Sequence, residues 1–222
     1  MHARLVLARA VTVAIRYTSI RRQFRDRDET GSGSEMQVLD YPTVQIRILP
    51  LVATAFALHY SGKAMKEVYD NARQDVEGGD FSTLADLHST SSGLKSLCTM
   101  LAADGIEVCR RAMGGHGYGG GSGLIQLNND YLSKPTVEGD NWMITQQVAA
   151  YLIKKMTAAV KSPGSKPTDA TDKSFKEYLQ ARLFSDKGNK YDVLNSDKAI
   201  MDAFKRRAVV MVSELKAIVP NV

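Results

Sequence analysis

The sequence predicts an all-α fold, an up-down four-helix bundle with extra helices at its C-terminal end. Three observations lead there. Apolar residues recur at three, four and seven spacing through most of the 222-residue chain, the pattern of one buried stripe per helix. No stretch alternates apolar and polar residues in the way a half-buried strand requires. A few breaks rich in glycine, serine and proline separate long periodic segments, and long helices joined by such breaks pack as bundles.

The first helix is expected from Ala3 to Phe24, followed by a polar solvent loop, RDRDETGSGSE. A second helix is expected from Pro42 or Thr43 to Asp75, because Asp40 and Pro42 suit a helix entry. VEGGD marks a turn. The third helix is expected from Thr83 to Met113, with Leu87, Leu94, Leu97, Leu101 and Val108 on one apolar face. A glycine-rich loop, GGHGYGGGSG, and a short segment to Pro135 precede a fourth helix running from Glu138 or Asp140 to Val160. KSPGSKPTDATD has the composition of a linker. Two further helical pieces follow, near Ser174–Phe184 and Ser196–Val219. The division expected is therefore a bundle domain over 1–160, a linker over 161–173 and a partial second helical domain over 174–222. Tyr118, Tyr131 and Trp142 are expected to pack, as are Met65, Met100, Met143 and Met156.

Composition narrows the function classes. Hydrophobic residues make up 44% of the chain and charged residues 24%, ordinary values for a globular protein. The net charge of +5 favours an anionic partner. The basic residues are scattered and no RNA-binding or zinc-finger signature is present, so a phosphate-bearing metabolite or cofactor fits better than nucleic acid. Cys98 and Cys109 are too far apart along one helix to bond to each other, and neither has a metal-ligand spacing with a histidine. Both therefore read as buried apolar residues in a reducing compartment. No apolar run is long enough for a membrane span. The Arg-rich, acid-free start, MHARLVLARAVTVAIRYTSIRRQF, has two readings: a mitochondrial presequence, or an internal helix of a longer protein.

Three motifs carry candidate chemistry. Gly115, Gly117 and Gly120 satisfy the GxGxxG spacing, but they follow a helix and lack the βαβ context that a dinucleotide fold needs. A backbone that can approach a ligand closely remains one reading, and a flexible connector the other. In Pro135-Thr136-Val137-Glu138-Gly139-Asp140-Asn141 a carboxylate stands just before a helix. It either complements the positive end of the dipole or serves as a base aimed into a ligand cavity. Arg21-Arg22-Gln23-Phe24 closes the first helix, where arginines complement the dipole or clamp a phosphate bidentately.

Five blocks in order, AVTVAIRYTSIRRQF, VLDYPTVQIRILPLVATAFALHYSGKAMKEVY, DLHSTSSGLKSLCT, RRAMGGHGYGGGSGL and TVEGDNWMITQQVAAYLIK, resemble the acyl-CoA oxidase family, a branch of the acyl-CoA dehydrogenase superfamily. The resemblance runs from Val6 to Met156 and implies the helical C-terminal domain of that superfamily. It implies FAD as cofactor, fatty acyl-CoA as substrate, O2 as electron acceptor, a homodimer and a peroxisomal location. Glu138 matches the catalytic glutamate, and Gly139 beside it a substrate-binding position. Arg21 and Phe24 match the R-x-x-F residues that touch the flavin's pyrophosphate end across the dimer interface. Gln45, Gly114 and Gly115 match further cofactor contacts. Asp140 stands where the dehydrogenases usually carry Thr for the adenine-diphosphate part. A complete member also carries an N-terminal helical region and a β-domain, so this sequence is expected to be a fragment. The C-terminus IVPNV is not an SKL-type address. Two other readings stand beside the oxidase: a non-catalytic helical dimerisation module, and a mitochondrial acyl-CoA dehydrogenase-like protein.

Overall fold

Helix α1 (His2–Ile20) buries Ala3, Val6, Leu7, Ala10, Val11, Ala14 and Thr18, a three-and-four spacing that makes one continuous stripe. Thr18 is polar but fully buried; its hydroxyl donates to the Ala14 carbonyl at 2.8 Å, which satisfies it locally. The helix stops before Arg21 and does not reach Phe24 as expected. Residues 21–24 instead pair in extended form with residues 36–38: Gln23 N–H donates to Met36 O, Met36 N–H to Phe24 O and Val38 N–H to Arg21 O, at 2.8–3.0 Å. Arg21 N–H still donates to Tyr17 O at 2.8 Å at the end of α1, and the pairing then takes the backbone groups that another helical turn would use. Most of the predicted solvent loop, residues 26–33, lies outside the described residues. The computed structural model describes residues 2–25, 34–184 and 195–218.

Helix α2 (Pro42–Glu77) starts at the predicted proline, whose missing N–H costs nothing in the first turn, and ends at Gly78. Helix α3 (Leu84–Ala112) packs against both α1 and α2. Its buried face differs from the leucine stripe expected. Leu97 and Leu101 are exposed, Leu94 only flanks the core, and the core positions are Cys98, Ala102, Gly105, Ile106 and Cys109. Close approach of α1 is the reason. A Cβ placed on Gly105 would lie 2.5 Å from Leu7 Cδ1, so small residues are needed where the two helices meet. Both cysteines are buried and free, and burial pushes the Cys109 thiol up to about 12.

The glycine-rich segment contains a one-turn helix α4 (Gly115–Tyr118) and a 3-10 turn (Gly120–Ser122). The expected short segment after it is helix α5 (Leu124–Tyr131), which packs on α3 through Leu124 and Tyr131. Helix α6 (Asn141–Lys161), α7 (Ala170–Phe184) and α8 (Asp197–Ile218) follow. Helix α7 starts within the predicted linker because Asp169 Oδ1 accepts the Asp172 N–H at 2.8 Å while Asp172 Oδ2 accepts the Thr168 N–H at 3.0 Å. The first is an N-cap contact from Asp169, and the second ties the residue before the cap to the first turn.

The all-α fold is thus observed, and the four helices of the predicted bundle are present as α1, α2, α3 and α6. The chain forms two compact units, Met1–Ile144 and Thr145–Val222. The core of the first lies among α1, α2, α3 and α5. The second is built on Met156, Ala159, Phe175 and Val209, from α6, α7 and α8. The division falls inside α6, whereas composition pointed to 161–173. Of the methionines expected to pack, Met156 is fully buried, Met65 is half-buried, and Met100 and Met143 are exposed. Tyr131 is buried as expected, but Tyr118 and Trp142 are not; Trp142 is 83% exposed. Among the described residues no helix is long and apolar enough to cross a membrane, and no group of His, Cys, Asp and Glu could hold a metal ion.

Candidate functional site

The segment between α5 and α6 is a tight turn. Val137 N–H donates to Ser133 O and Asn141 N–H to Pro135 O, both at 3.0 Å, which closes residues 133–141 on themselves. Within it Glu138 has φ 60° and Gly139 φ 97°. A left-handed glutamate is uncommon and costs on the order of 1–3 kcal/mol, so the surroundings must hold it there. The two carboxylates of the motif are used differently. Asp140 Oδ1 accepts the Trp142 N–H at 3.0 Å and so caps α6. Among the described residues no hydrogen bond or ion pair engages the Glu138 carboxylate. Glu138 instead lines a cavity of about 410 Å³ together with Leu94, Lys95, Cys98, Tyr131 and Val137.

The thiol and the phenol in the walls of that cavity are held in their neutral forms. Burial raises the Cys98 thiol and pushes the Tyr131 phenol up to about 12, so both stay protonated at neutral pH. Glu138 is the carboxylate among the lining residues. It is exposed in this chain, so the dry environment expected for a base is not provided by the described residues themselves. Gly139 is exposed, and a Cβ there would make only ordinary contact with Ile144 Cδ1, at 3.4 Å; it is its φ that excludes most other residues.

The remaining predicted positions fall in two further groups. Gly114 has φ 57° and ψ −137°, a conformation open to glycine alone. Neither Gly114 nor Gly115 has any atom within 4 Å of where a Cβ would sit. Gly117 is the opposite case, since its Cβ would lie 1.8 Å from the Arg110 carbonyl oxygen. The GxGxxG spacing therefore mixes one packing glycine, Gly117, with two open ones, Gly115 and Gly120. Gly115 lines a second cavity, about 520 Å³, with Tyr17, His116 and Ser122. The Tyr17 hydroxyl and His116 Nδ1 hydrogen-bond across it at 2.9 Å. Arg21, Phe24 and Gln45 line neither cavity. Arg21 Nη2 donates to Gln23 Oε1 at 2.7 Å, and Phe24 is left-handed, at φ 60°, and 70% exposed. The Tyr41 hydroxyl donates to Gln23 O at 2.8 Å, so the start of α2, with half-buried Gln45 one turn on, is tied to that segment.

Residues 1–153 match the family described as acyl-CoA oxidase, C-alpha1 domain. The chain belongs to the acyl-CoA oxidase family. It is 41% identical over 207 residues to the peroxisomal acyl-coenzyme A oxidase 1 of Arabidopsis thaliana, covering 92% of this chain and 30% of that relative. It is 41% identical over 148 residues to the peroxisomal acyl-coenzyme A oxidase 1 of Rattus norvegicus, covering 67% and 22% respectively. An acyl-CoA oxidase from tomato superposes with a TM-score of 0.85 at 36% identity, over 96% of this chain and 32% of that one. Acyl-CoA oxidase-2 of Caenorhabditis elegans, solved with FAD, ascaroside-CoA and ATP, superposes with a TM-score of 0.84 at 31% identity, over 100% of this chain and 32% of that one. The chain thus spans about a third or less of the relatives it matches.

Sequence reasoning missed Lys95, and the part that Asn141 plays, in holding the Glu138 turn. Lys95, on α3, donates three hydrogen bonds into the Glu138 turn. Asn141 carries those contacts on to Ser96 and Thr99. The only signal in the sequence was a lone lysine in a Ser-, Thr- and Leu-rich helix, DLHSTSSGLKS. Its acceptors lie some forty residues away along the chain and meet it only in the fold.

Proposed function

We propose that this chain supplies the base and part of the flavin site of a peroxisomal acyl-CoA oxidase, which converts a fatty acyl-CoA to the trans-2-enoyl-CoA. One observation carries the reading: Glu138 is held left-handed beside a 410 Å³ cavity with its carboxylate unengaged, while Asp140 takes over the helix cap. A carboxylate used only to complement a helix dipole would do what Asp140 does.

In this reading the Glu138 carboxylate removes a proton from the α carbon of the thioester. The α C–H is acidic enough because the thioester carbonyl stabilises the developing charge. A substrate acyl chain seated in the cavity displaces water from around Glu138 and raises its basicity. Gly139, whose positive φ disfavours any side chain, keeps the turn narrow where substrate passes. An FAD held by these residues would supply the hydride acceptor for the β hydrogen and the route for the electron pair to O2, with hydrogen peroxide as the product.

The residues present fit that cofactor. Gly114 and Gly115 leave a backbone surface with no atom within Cβ range, which a planar or phosphate-bearing group can approach directly. Arg21 carries a guanidinium suited to a pyrophosphate, with exposed Phe24 beside it and Gln45 on the adjoining helix. Asp140 adds a polar contact at the start of α6 in the same scheme. The exposed Phe24 and Tyr118 side chains suit burial against a second copy, in a homodimer that shares the cofactor. The peroxisomal location follows the names of the relatives.

The visible spectrum tests the assignment. In the oxidase containing this chain, Glu138→Gln is expected to leave FAD bound and to abolish flavin bleaching by a long-chain acyl-CoA. Bleaching at the unsubstituted rate in that variant overturns it. Peroxide release on turnover separates an oxidase from a dehydrogenase.

A further inference from the structure

Lys95 lies half-buried on α3, and its ammonium is committed in full. Nζ donates to Pro135 O at 3.0 Å, to Gly139 O at 2.7 Å and to Asn141 Oδ1 at 2.8 Å. An ammonium has three donors, so none is left for a ligand phosphate or for proton transfer. The acceptors bracket Glu138: one carbonyl three residues before it, one carbonyl directly after it, and a side chain at the first residue of α6. Asn141 Nδ2 in turn donates to Thr99 Oγ1 at 3.0 Å and to Ser96 O at 3.3 Å. Both ends of the turn are therefore fastened to a single stretch of α3, the stretch that also lines the Glu138 cavity.

We infer that Lys95 is the positioning residue for Glu138, a buttress that holds the 135–141 turn so that its carboxylate stays at the cavity. This rests on Glu138 being the base. The physical argument is that a left-handed glutamate relaxes toward ordinary backbone angles unless contacts on both sides forbid it. Charge-assisted bonds to the two flanking carbonyls do so. A lysine suits the task because three acceptors converge on one compact point charge; the planar fork of an arginine does not match that geometry.

The test uses the full 222-residue chain and reads amide hydrogen exchange by NMR. In Lys95→Met, the amides of Thr136, Val137 and Asn141, which donate within the turn, are expected to exchange about tenfold faster or more, as loss of charged hydrogen bonds implies. Amides of Ile106 and Cys109, in the α1–α3 core, are expected to stay within about twofold. Unchanged exchange in the turn overturns the proposal, and so does equal acceleration at Ile106, which marks a general structural role. Should Lys95→Met not fold, Asn141→Ala removes one acceptor and the bridge to Thr99 and is expected to give a smaller acceleration confined to the turn. Loss of folding in both variants means that the network holds the bundle and not the turn, and overturns the proposal too.

Turnover gives a second readout. In the oxidase containing this chain, Lys95→Met is expected to lower kcat about tenfold with KM for palmitoyl-CoA nearly unchanged, because geometry and not affinity is lost. A change in KM alone overturns it. The two assignments fail separately. Normal bleaching in Glu138→Gln defeats the base and leaves the exchange result standing. An inert Glu138→Gln with a fully protected turn in Lys95→Met defeats only the buttress.

Discussion

The turn before α6 and the turn after α3 both contain left-handed residues, yet they are held in opposite ways. The turn that carries Glu138 and Gly139 is gripped from the side by Lys95, through the Pro135 and Gly139 carbonyls. Gly114 and Gly115 have no atom within 4 Å of a notional Cβ, and the segment is anchored beside them, where Gly117 sits on the Arg110 carbonyl and His116 bonds the Tyr17 hydroxyl. The first turn is completed by its own chain. The second presents bare backbone and is completed by whatever rests on it. In the proposed reading, preorganisation serves a carboxylate that must be aimed and open backbone serves a large flat group that must be admitted.

This contrast can be broken at its anchor. Gly117→Ala places a methyl against the Arg110 carbonyl oxygen and is expected to lower stability by about 1–3 kcal/mol, measured by urea unfolding. A neutral result would mean that the glycine turn floats free of α3. A smaller effect is expected at the same end of α3. The Glu107 carboxylate accepts bidentately from Arg110 at 2.7 Å and from Arg111 at 2.8 Å, which holds it down at about 2. Because the folded value is depressed, the stabilisation is complete above the ordinary value of 4.5 and is lost as pH falls toward 2. The pair is partly exposed and screened by salt, so Glu107→Gln is expected to cost about 1 kcal/mol or less at pH 7. The difference from the unsubstituted chain should shrink in acid unfolding between pH 4.5 and 2. The smallest stability change is expected for Gly115→Ala, within about 0.5 kcal/mol, because its Cβ enters empty space. The same variant should weaken FAD binding, measured by flavin fluorescence titration. Unchanged affinity would remove Gly115 from the cofactor surface.

Much of the helical frame was legible, since capping and periodicity act locally. The proline at the start of α2 and the glycines ending α2 and α3 set boundaries that the structure reproduces within a few residues. The first helix was overestimated at its end because residues 21–24 found backbone partners in residues 36–38. The face of α3 was misjudged for a different reason. Periodicity finds the bulkiest stripe, but where α1 and α3 press together the buried stripe must be small, and Leu97 was left 56% exposed. The Glu138 motif was visible as a carboxylate beside a helix start. The division of labour between Glu138 and Asp140 was not, because both carboxylates satisfy the same local rule.

By itself the sequence determined what neighbours along the chain can decide: an all-helical frame, the places where it breaks, and motifs specific enough to point to a family. The tertiary structure alone decided which side chains meet. Lys95 and the Glu138 turn are separated by some forty residues and joined by three hydrogen bonds. No local pattern records a bond whose donor and acceptors lie on different elements, because its energy exists only once the helices have packed.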